Sequence, residues 1–213
     1  MGLTTHHRAR VYAVHPQNPQ PRELDQLVEI LRTDGVIIYP TDTLYGLGCS
    51  IESPKAIARI ARIKGLKPRE ARFSFICERL GQVAEYARMS DATYSVLRHN
   101  LPGPFTMILP GLSKCGESFM SPRKTVGIRI PNHAIPLALV RLLGCPILTS
   151  SLPLDAEEPE YGQFPELMAE RWGTLVDAVI DGGQGELTPS TVVDCTQDEI
   201  RVIRQGKGVL VHD

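Results

Sequence analysis

The chain lacks a charge excess of either sign. Its 213 residues sum to a formal net charge of −1, which argues against bulk attraction to nucleic acid or to an anionic membrane. It lacks any apolar run long enough to cross a bilayer. Met1 to Arg10 holds no apolar segment of the signal-peptide kind. A soluble, cytoplasmic protein with no membrane partner is therefore expected. No CxxC pair occurs, and the five cysteines, at 49, 77, 115, 145 and 195, are odd in number. Neither a disulfide framework nor a zinc site is indicated, and no metal ligand is assigned. There is no GxGxxG, and the glycine-rich turn at Asp181-Gly182-Gly183-Gln184-Gly185 lacks the Lys-Ser/Thr ending of a P-loop. No Ser-His-Asp arrangement, internal repeat, low-complexity segment or long linker is visible.

What is present suits one domain over residues 1–213, with about the first ten residues frayed. A hydrophobic content of 42% is enough for a substantial core at this length. Strand-like runs alternate with helix-like periodicities throughout, the pattern of an α/β protein. Strands are expected near Val11–Val14, Val36–Tyr39, Phe73–Cys77, Phe105–Leu109, Thr125–Ile130, Pro146–Thr149, Val176–Ile180, Ser190–Asp194, Ile200–Arg204 and Val209–Val211. Helices are expected near Arg22–Thr33, Pro54–Gly65, Leu80–Ala87, Ser90–His99, His133–Leu143 and Pro165–Trp172. Ser53-Pro54 reads as an N-cap followed by proline at the first helical position. Leu137, Val140, Leu142 and Leu143 are the expected anchors of the fifth helix. Cys49, Cys77 and Cys145 lie in or beside apolar runs and are read as small core residues.

One stretch organises the rest: Gly35-Val36-Ile37-Ile38-Tyr39-Pro40-Thr41-Asp42-Thr43-Leu44-Tyr45-Gly46-Leu47-Gly48. β-Branched and aromatic residues make a buried strand, and Pro40 ends it. Thr41, Asp42 and Thr43 then place hydrogen-bonding groups at a sheet rim, where open α/β sheets bind ligands. The plain alternative is a polar turn between core strands. Gly46 and Gly48 are read as allowing tight turns or the close approach of another backbone. Between Arg59 and Arg72, six cations (Arg59, Arg62, Lys64, Lys67, Arg69 and Arg72) face one acid, Glu70. Such a run can hold phosphate oxygens or be a solvated surface. Residues 155–170 are acidic and read as a surface loop leading into a helix.

Residues 40–48, PTDTLYGLG, resemble the signature of the YrdC family. The likeness continues in order through Leu101–Thr106 (LPGPFT), Thr125–Pro131 (TVGIRIP) and Ser190–Asp194 (STVVD), over nearly the whole chain, and is to the family's YciO branch in particular. Family members make L-threonylcarbamoyl-adenylate from L-threonine, bicarbonate and ATP, for threonylcarbamoyladenosine in tRNA. The resemblance implies a twisted mixed β-sheet with helices on both sides and a deep basic cavity. It also implies a nucleotidyltransferase using ATP with Mg2+, with tRNA or tRNA-modification proteins as partners. Residue by residue, it implies ATP contacts at Lys64, Thr125, Ser150 and Arg204, and L-threonine contacts at Arg129 and Ser190. Thr41, in the leading motif, joins the L-threonine set, and Lys64 and Arg129 are the catalytic candidates. An Arg fork suits a carboxylate because two parallel N–H donors meet two oxygens.

Two positions depart from the family pattern. The family's Lys-x-Arg has Leu66 in place of its arginine, and its Ser-x-Asn has Leu152 in place of its asparagine. Lys67 and Arg69 are candidates for the missing ATP-binding charge. Both departures are expected near the nucleotide, and they imply weak or altered synthase activity. Two alternatives stay open. One is a double-stranded RNA-binding, tRNA-binding or translation-associated module, with Tyr39, Tyr45 and Phe73 stacking on bases. The other is a nucleotide-binding paralogue with a different reaction.

Overall fold

The computed structural model describes residues 8–66, 73–115, 124–153, 155–197 and 199–211. The chain opens with strand β1 (Arg10–Ala13) and helix α1 (Pro21–Arg32), whose stripe of Leu24, Leu27, Val28 and Leu31 is buried. Strands β2 (Ile37–Tyr39) and β3 (Gly46–Ser50) follow, then α2 (Pro54–Ile63). The start of α2 is as expected: Ser53 Oγ accepts from the Ala56 N–H, with proline at the first turn. Such a cap contributes about 1 kcal/mol. Gly65 ends the helix at φ 66°, a conformation that costs glycine little.

Next come β4 (Ser74–Ile76), α3 (Leu80–Tyr86), α4 (Asp91–Asn100), β5 (Phe105–Pro110) and β6 (Thr125–Arg129). Helix α5 (Ala134–Leu143) leads to β7 (Ile147–Ser151), and α6 (Pro165–Trp172) leads to β8 (Ala178–Asp181). Strands β9 (Thr191–Asp194) and β10 (Arg201–Arg204) complete one ten-stranded sheet, in the order β1-β8-β2-β3-β7-β4-β6-β5-β9-β10. The sheet is mixed. β1–β8, β2–β8, β4–β6 and β5–β9 are parallel, and the other neighbours are antiparallel.

Alternation along the strands sorts side chains into two cores. One face packs Leu47, Phe75, Met107, Ile128 and Leu148 against residues of α2, α3, α4 and α6, such as Ile60, Val83, Leu97 and Met168. The other packs Ile37, Tyr39, Ile76 and Ile147 under α1 and α5. All five cysteines are free and buried. Among the described residues, no helix is long and apolar enough to cross a membrane.

Three local expectations change. Gly46-Leu47-Gly48 is the start of a buried strand, not a turn. Its glycines make room for the Tyr39 ring: a Cβ on Gly48 would lie 2.6 Å from Tyr39 Cε1 and 2.8 Å from Ile147 Cγ2. Strand propensity disfavours glycine, but here the partner's ring decides. Among the described residues Val209–Val211 pairs with no strand, and Val209 and Val211 are exposed. In α5 the buried face is Ile135, Pro136, Leu139 and Val140, whereas Leu142 is exposed. His133 sets that phase as the N-cap, with Nδ1 accepting from the Ile135 N–H.

Candidate functional site

The apolar surface under α1 and α5 reaches Ile76 and Ile147 and then gives way to small and polar residues on the same face. Thr149 pairs with Gly48 and with Ser74, Ser74 with Gly127, and Ser151 with Gly46. These neighbours form a floor of glycine and hydroxyl side chains across β3, β7, β4 and β6. Thr125 and Arg129 stand on this face too, two residues either side of Gly127, as the alternation of β6 predicts. Tyr39 lies on the same face, its ring against Gly46 and Gly48, and its buried OH donates to Thr149 Oγ1 at 2.5 Å. Burial pushes the Tyr39 phenol up to about 12, so it stays a donor at neutral pH.

Arg129 is the buried charge of the site, 7% exposed rather than on a solvated face. Its Nη2 donates to Asp42 Oδ1 at 3.0 Å and to Thr43 Oγ1 at 2.8 Å. The remaining Asp42 oxygen accepts from the Asn132 N–H at 2.9 Å. Thr41 Oγ1 donates to Leu44 O at 2.8 Å and accepts from the Thr43 N–H at 3.0 Å. Its one proton is thus used, so across the 3.1 Å contact between the two hydroxyls Thr43 is the donor. A directed chain results, from Arg129 through Thr43 and Thr41 to a main-chain carbonyl. Thr41 Oγ1 makes one donation and two acceptances within it, so Thr41 shapes the loop that grips Arg129. Arg129 Nε is buried and has no partner among the described residues. A buried donor left unpaired costs about 1–3 kcal/mol.

Ser190 comes into the same row. Met107 pairs with Ile128, which sets Thr106 on the face of Arg129, and Thr106 Oγ1 lies 2.8 Å from Ser190 Oγ. Arg204 Nη2 donates to Ser190 O at 2.8 Å and reaches Ser190 Oγ at 3.5 Å. Sequence reading did not single out Thr106. Its signal was the LPGPFT motif that it closes. Lys207, also not anticipated, donates from Nζ to the Asp42 main-chain O at 2.9 Å and to Glu186 Oε1 at 3.0 Å.

Lys64 lies at the end of α2, and its Nζ donates to Ser151 O at 2.8 Å. Burial holds its ammonium below the usual lysine range. Thr125 is half-buried on the floor. Ser150 is set apart: it pairs with Leu47, on the face of the larger core, and is half-buried. Lys67 and Arg69 lie outside the described residues. The two departures differ in setting. Leu66 is 40% exposed, whereas Leu152 is 2% exposed and belongs to the larger core.

Other expectations meet structural roles. Arg59 pairs with Asp177 at 2.6 Å and donates to Leu175 O, so it braces α2 against the segment before β8. Tyr39, Tyr45 and Phe73 are buried and offer no free ring face to a base. Tyr45 OH instead donates to Gly183 O at 2.7 Å, pinning the glycine-rich turn. The acidic loop is held by Arg171, which pairs with Asp155 and Glu158 and lies over the Tyr161 ring. Among the described residues, no group of three or more His, Cys, Asp or Glu side chains converges as a metal site.

The chain is 39% identical to an uncharacterized protein of Haemophilus influenzae over 201 residues, covering 94% of this chain and 97% of that protein. The crystal structure of Escherichia coli YciO superposes with a TM-score of 0.87 at 38% identity, covering 94% of this chain and 97% of that one. The structure of P. abyssi Sua5 complexed with L-threonine gives a TM-score of 0.78 at 24% identity, covering 92% of this chain and 57% of that one. A family profile described as telomere recombination, Sua5/YciO/YrdC, matches residues 29–206. With the four motif segments inside that span and the sheet in common with YciO, this chain belongs to the Sua5/YciO/YrdC family.

Proposed function

We propose that the protein is an adenylate-forming nucleotidyltransferase acting on L-threonine, bicarbonate and ATP, with turnover limited by its departures from the family motifs. The observation that carries this reading is Arg129. It is buried on a hydroxyl-lined floor, with its guanidinium fixed at Nη2 and, among the described residues, a second donor, Nε, left without a partner. A buried arginine in that state suits a carboxylate. The Sua5 relative of the same fold, solved with L-threonine, supports an amino acid as the source of that carboxylate. Ser190, held between Thr106 and Arg204, is the neighbouring hydroxyl for the same ligand.

Lys64, Thr125 and Arg204 are proposed to hold the nucleotide, with Ser150 approaching it from the other side of the sheet rim. Lys64 and Arg204 use protein carbonyl and hydroxyl oxygens as partners, leaving positive charge for phosphate. Mg2+ would arrive on the oxygens of the triphosphate itself. In the reaction, the amine of L-threonine and bicarbonate give a carbamate with loss of water. A carbamate oxygen then bonds to the α-phosphorus of ATP, the bond to the bridging oxygen breaks, and pyrophosphate leaves with the electron pair. Such chemistry rests on alignment and on fixed positive charge around the phosphorus. No general base with a shifted pKa is required.

The test is incubation with ATP, bicarbonate and L-threonine, with mass spectrometry for threonylcarbamoyl-AMP and a parallel assay for pyrophosphate. Both products should form slowly and together. Pyrophosphate release driven by a different acid would keep the nucleotidyltransferase and reject L-threonine. No release with any amino acid would reject the reaction.

A further inference from the structure

The cations around the site fall into two groups by their partners. Lys64 and Arg204 have oxygens of carbonyls and hydroxyls as partners, and among the described residues no carboxylate pairs with either. Arg129 and Lys207 each carry a carboxylate of their own. Asp42 Oδ1 lies 3.0 Å from Arg129 Nη2, and Glu186 Oε1 lies 3.0 Å from Lys207 Nζ. The Arg129–Asp42 pair is the buried one, with both side chains about nine-tenths covered. A pair desolvated to that degree is neutral as a unit and attracts a dianion far less than a bare cation does.

Asp42 is also the residue through which three loops meet. Its Oδ1 holds Arg129, its Oδ2 takes the Asn132 N–H, and its main-chain O takes Lys207. Arg129 Nη2 is divided between Asp42 and Thr43, which restrains the guanidinium, while Nε has no partner among the described residues. We propose that Asp42 is a positioning and specificity-determining residue: it locks Arg129 through Nη2 and neutralises it in place, so that the subsite accepts a monoanionic α-carboxylate and rejects phosphate. The inference rests on the reading that an amino-acid carboxylate meets Arg129. It adds how one protein keeps ATP phosphates and an amino-acid carboxylate from exchanging sites.

The test has two arms. In the first, L-threonine is titrated calorimetrically into the wild type with and without inorganic phosphate at matched ionic strength. Affinity should be unchanged by phosphate; competition would overturn the proposal. In the second, Asp42→Asn is melted over a phosphate series at matched ionic strength. The uncompensated Arg129 should recruit the anion, so phosphate should raise the melting temperature of Asp42→Asn more than that of the wild type, in which, among the described cations of the site, Lys64 and Arg204 alone are free to take it. The double variant Asp42→Asn/Arg129→Met should lose that extra rise. L-Threonine affinity in Asp42→Asn should fall tenfold or more, with ATP affinity within twofold. A general packing defect gives no gain in phosphate binding, so a variant without that gain overturns the role of Asp42. If the wild type binds no L-threonine, the amino-acid reading fails, and the phosphate response of Asp42→Asn still decides the role of Asp42. Should Asp42→Asn not fold, Asp42→Glu keeps the charge. A phosphate response in that variant no larger than in the wild type supports the proposal, and a larger one overturns it.

Discussion

Lys64 donates its ammonium to the main-chain carbonyl of Ser151 at 2.8 Å, joining the end of α2 to the end of β7. The contact holds a cation at the sheet rim without neutralising it. Burial lowers the Lys64 pKa, so the charged form is worse off in the folded protein than in the unfolded chain. The folded-state value lies below the ordinary 10.5. The penalty is therefore present at neutral pH and is relieved as pH rises through the folded value towards 10.5.

Replacing Lys64 should consequently separate binding from stability. Lys64→Met should weaken ATP binding by about 1–3 kcal/mol, the scale of a hydrogen bond to a charged group. It should leave the ligand-free melting temperature unchanged or raised. Calorimetry and thermal melts on the same preparation check both. Unchanged ATP affinity would remove Lys64 from the nucleotide site.

Arg129→Lys should raise the KM for L-threonine with little effect on that for ATP. A lysine ammonium has no planar fork, so it cannot bond Asp42 and Thr43 while presenting a second donor at the position of Nε. Arg129→Met should be worse for folding, because it leaves Asp42 buried and unpaired. Breaking such a pair costs about 3–5 kcal/mol, readable in denaturant titration. Wild-type KM values in Arg129→Lys would place the carboxylate elsewhere.

His133 gives a pH dependence. Burial pushes the imidazole pKa down from its usual 6.5, partly opposed by Asp42, and Nδ1 is an acceptor in the cap of α5. The folded value lies below the unfolded one, so this contribution is full above pH 6.5. It is lost as pH falls from 6.5 through the folded value, because the unfolded chain takes up the proton first. His133→Asn keeps a capping acceptor and cannot titrate. Its stability should fall less than that of the wild type between pH 7 and pH 5, as measured by urea titration. Parallel curves would assign the pH dependence to other groups.

The two leucines that replace family polar residues should behave differently. Leu66 is exposed and Leu152 is in the core. Leu66→Arg should fold like the wild type and raise the rate of adenylate formation, on the order of tenfold or more if the guanidinium reaches transition-state charge. Leu152→Asn removes a buried aliphatic group and buries an amide, at a cost of about 2–5 kcal/mol. A double change made to restore the family motif should therefore lose stability through Leu152→Asn, whatever Leu66→Arg adds to the rate. A rate unchanged in folded Leu66→Arg would show that the missing arginine does not limit turnover.

The alternation of α and β elements, the capped start of α2 and the shared face of Thr125 and Arg129 were all legible in the sequence. Each depends on local rules: a cap three residues from its amide, or a period of two along a strand. The motif segments were legible for the same reason, since they are contiguous. The strand at Gly46–Ser50 was not. It forms between β2 and β7, and its glycine is explained by the Tyr39 ring, which takes the space beside Gly48, contacts between strands that no window of sequence contains. The burial of Leu152 and the separation of Ser150 from the floor follow from the register of β7 with β3. Composition assigned Arg129 a charge and a face. Only the fold brought Asp42 and Thr43, 87 and 86 positions away, against its Nη2. That long-range closure decides which of its donors is taken by the protein itself, because a guanidinium divides its hydrogen bonds among whatever acceptors the tertiary structure sets around it.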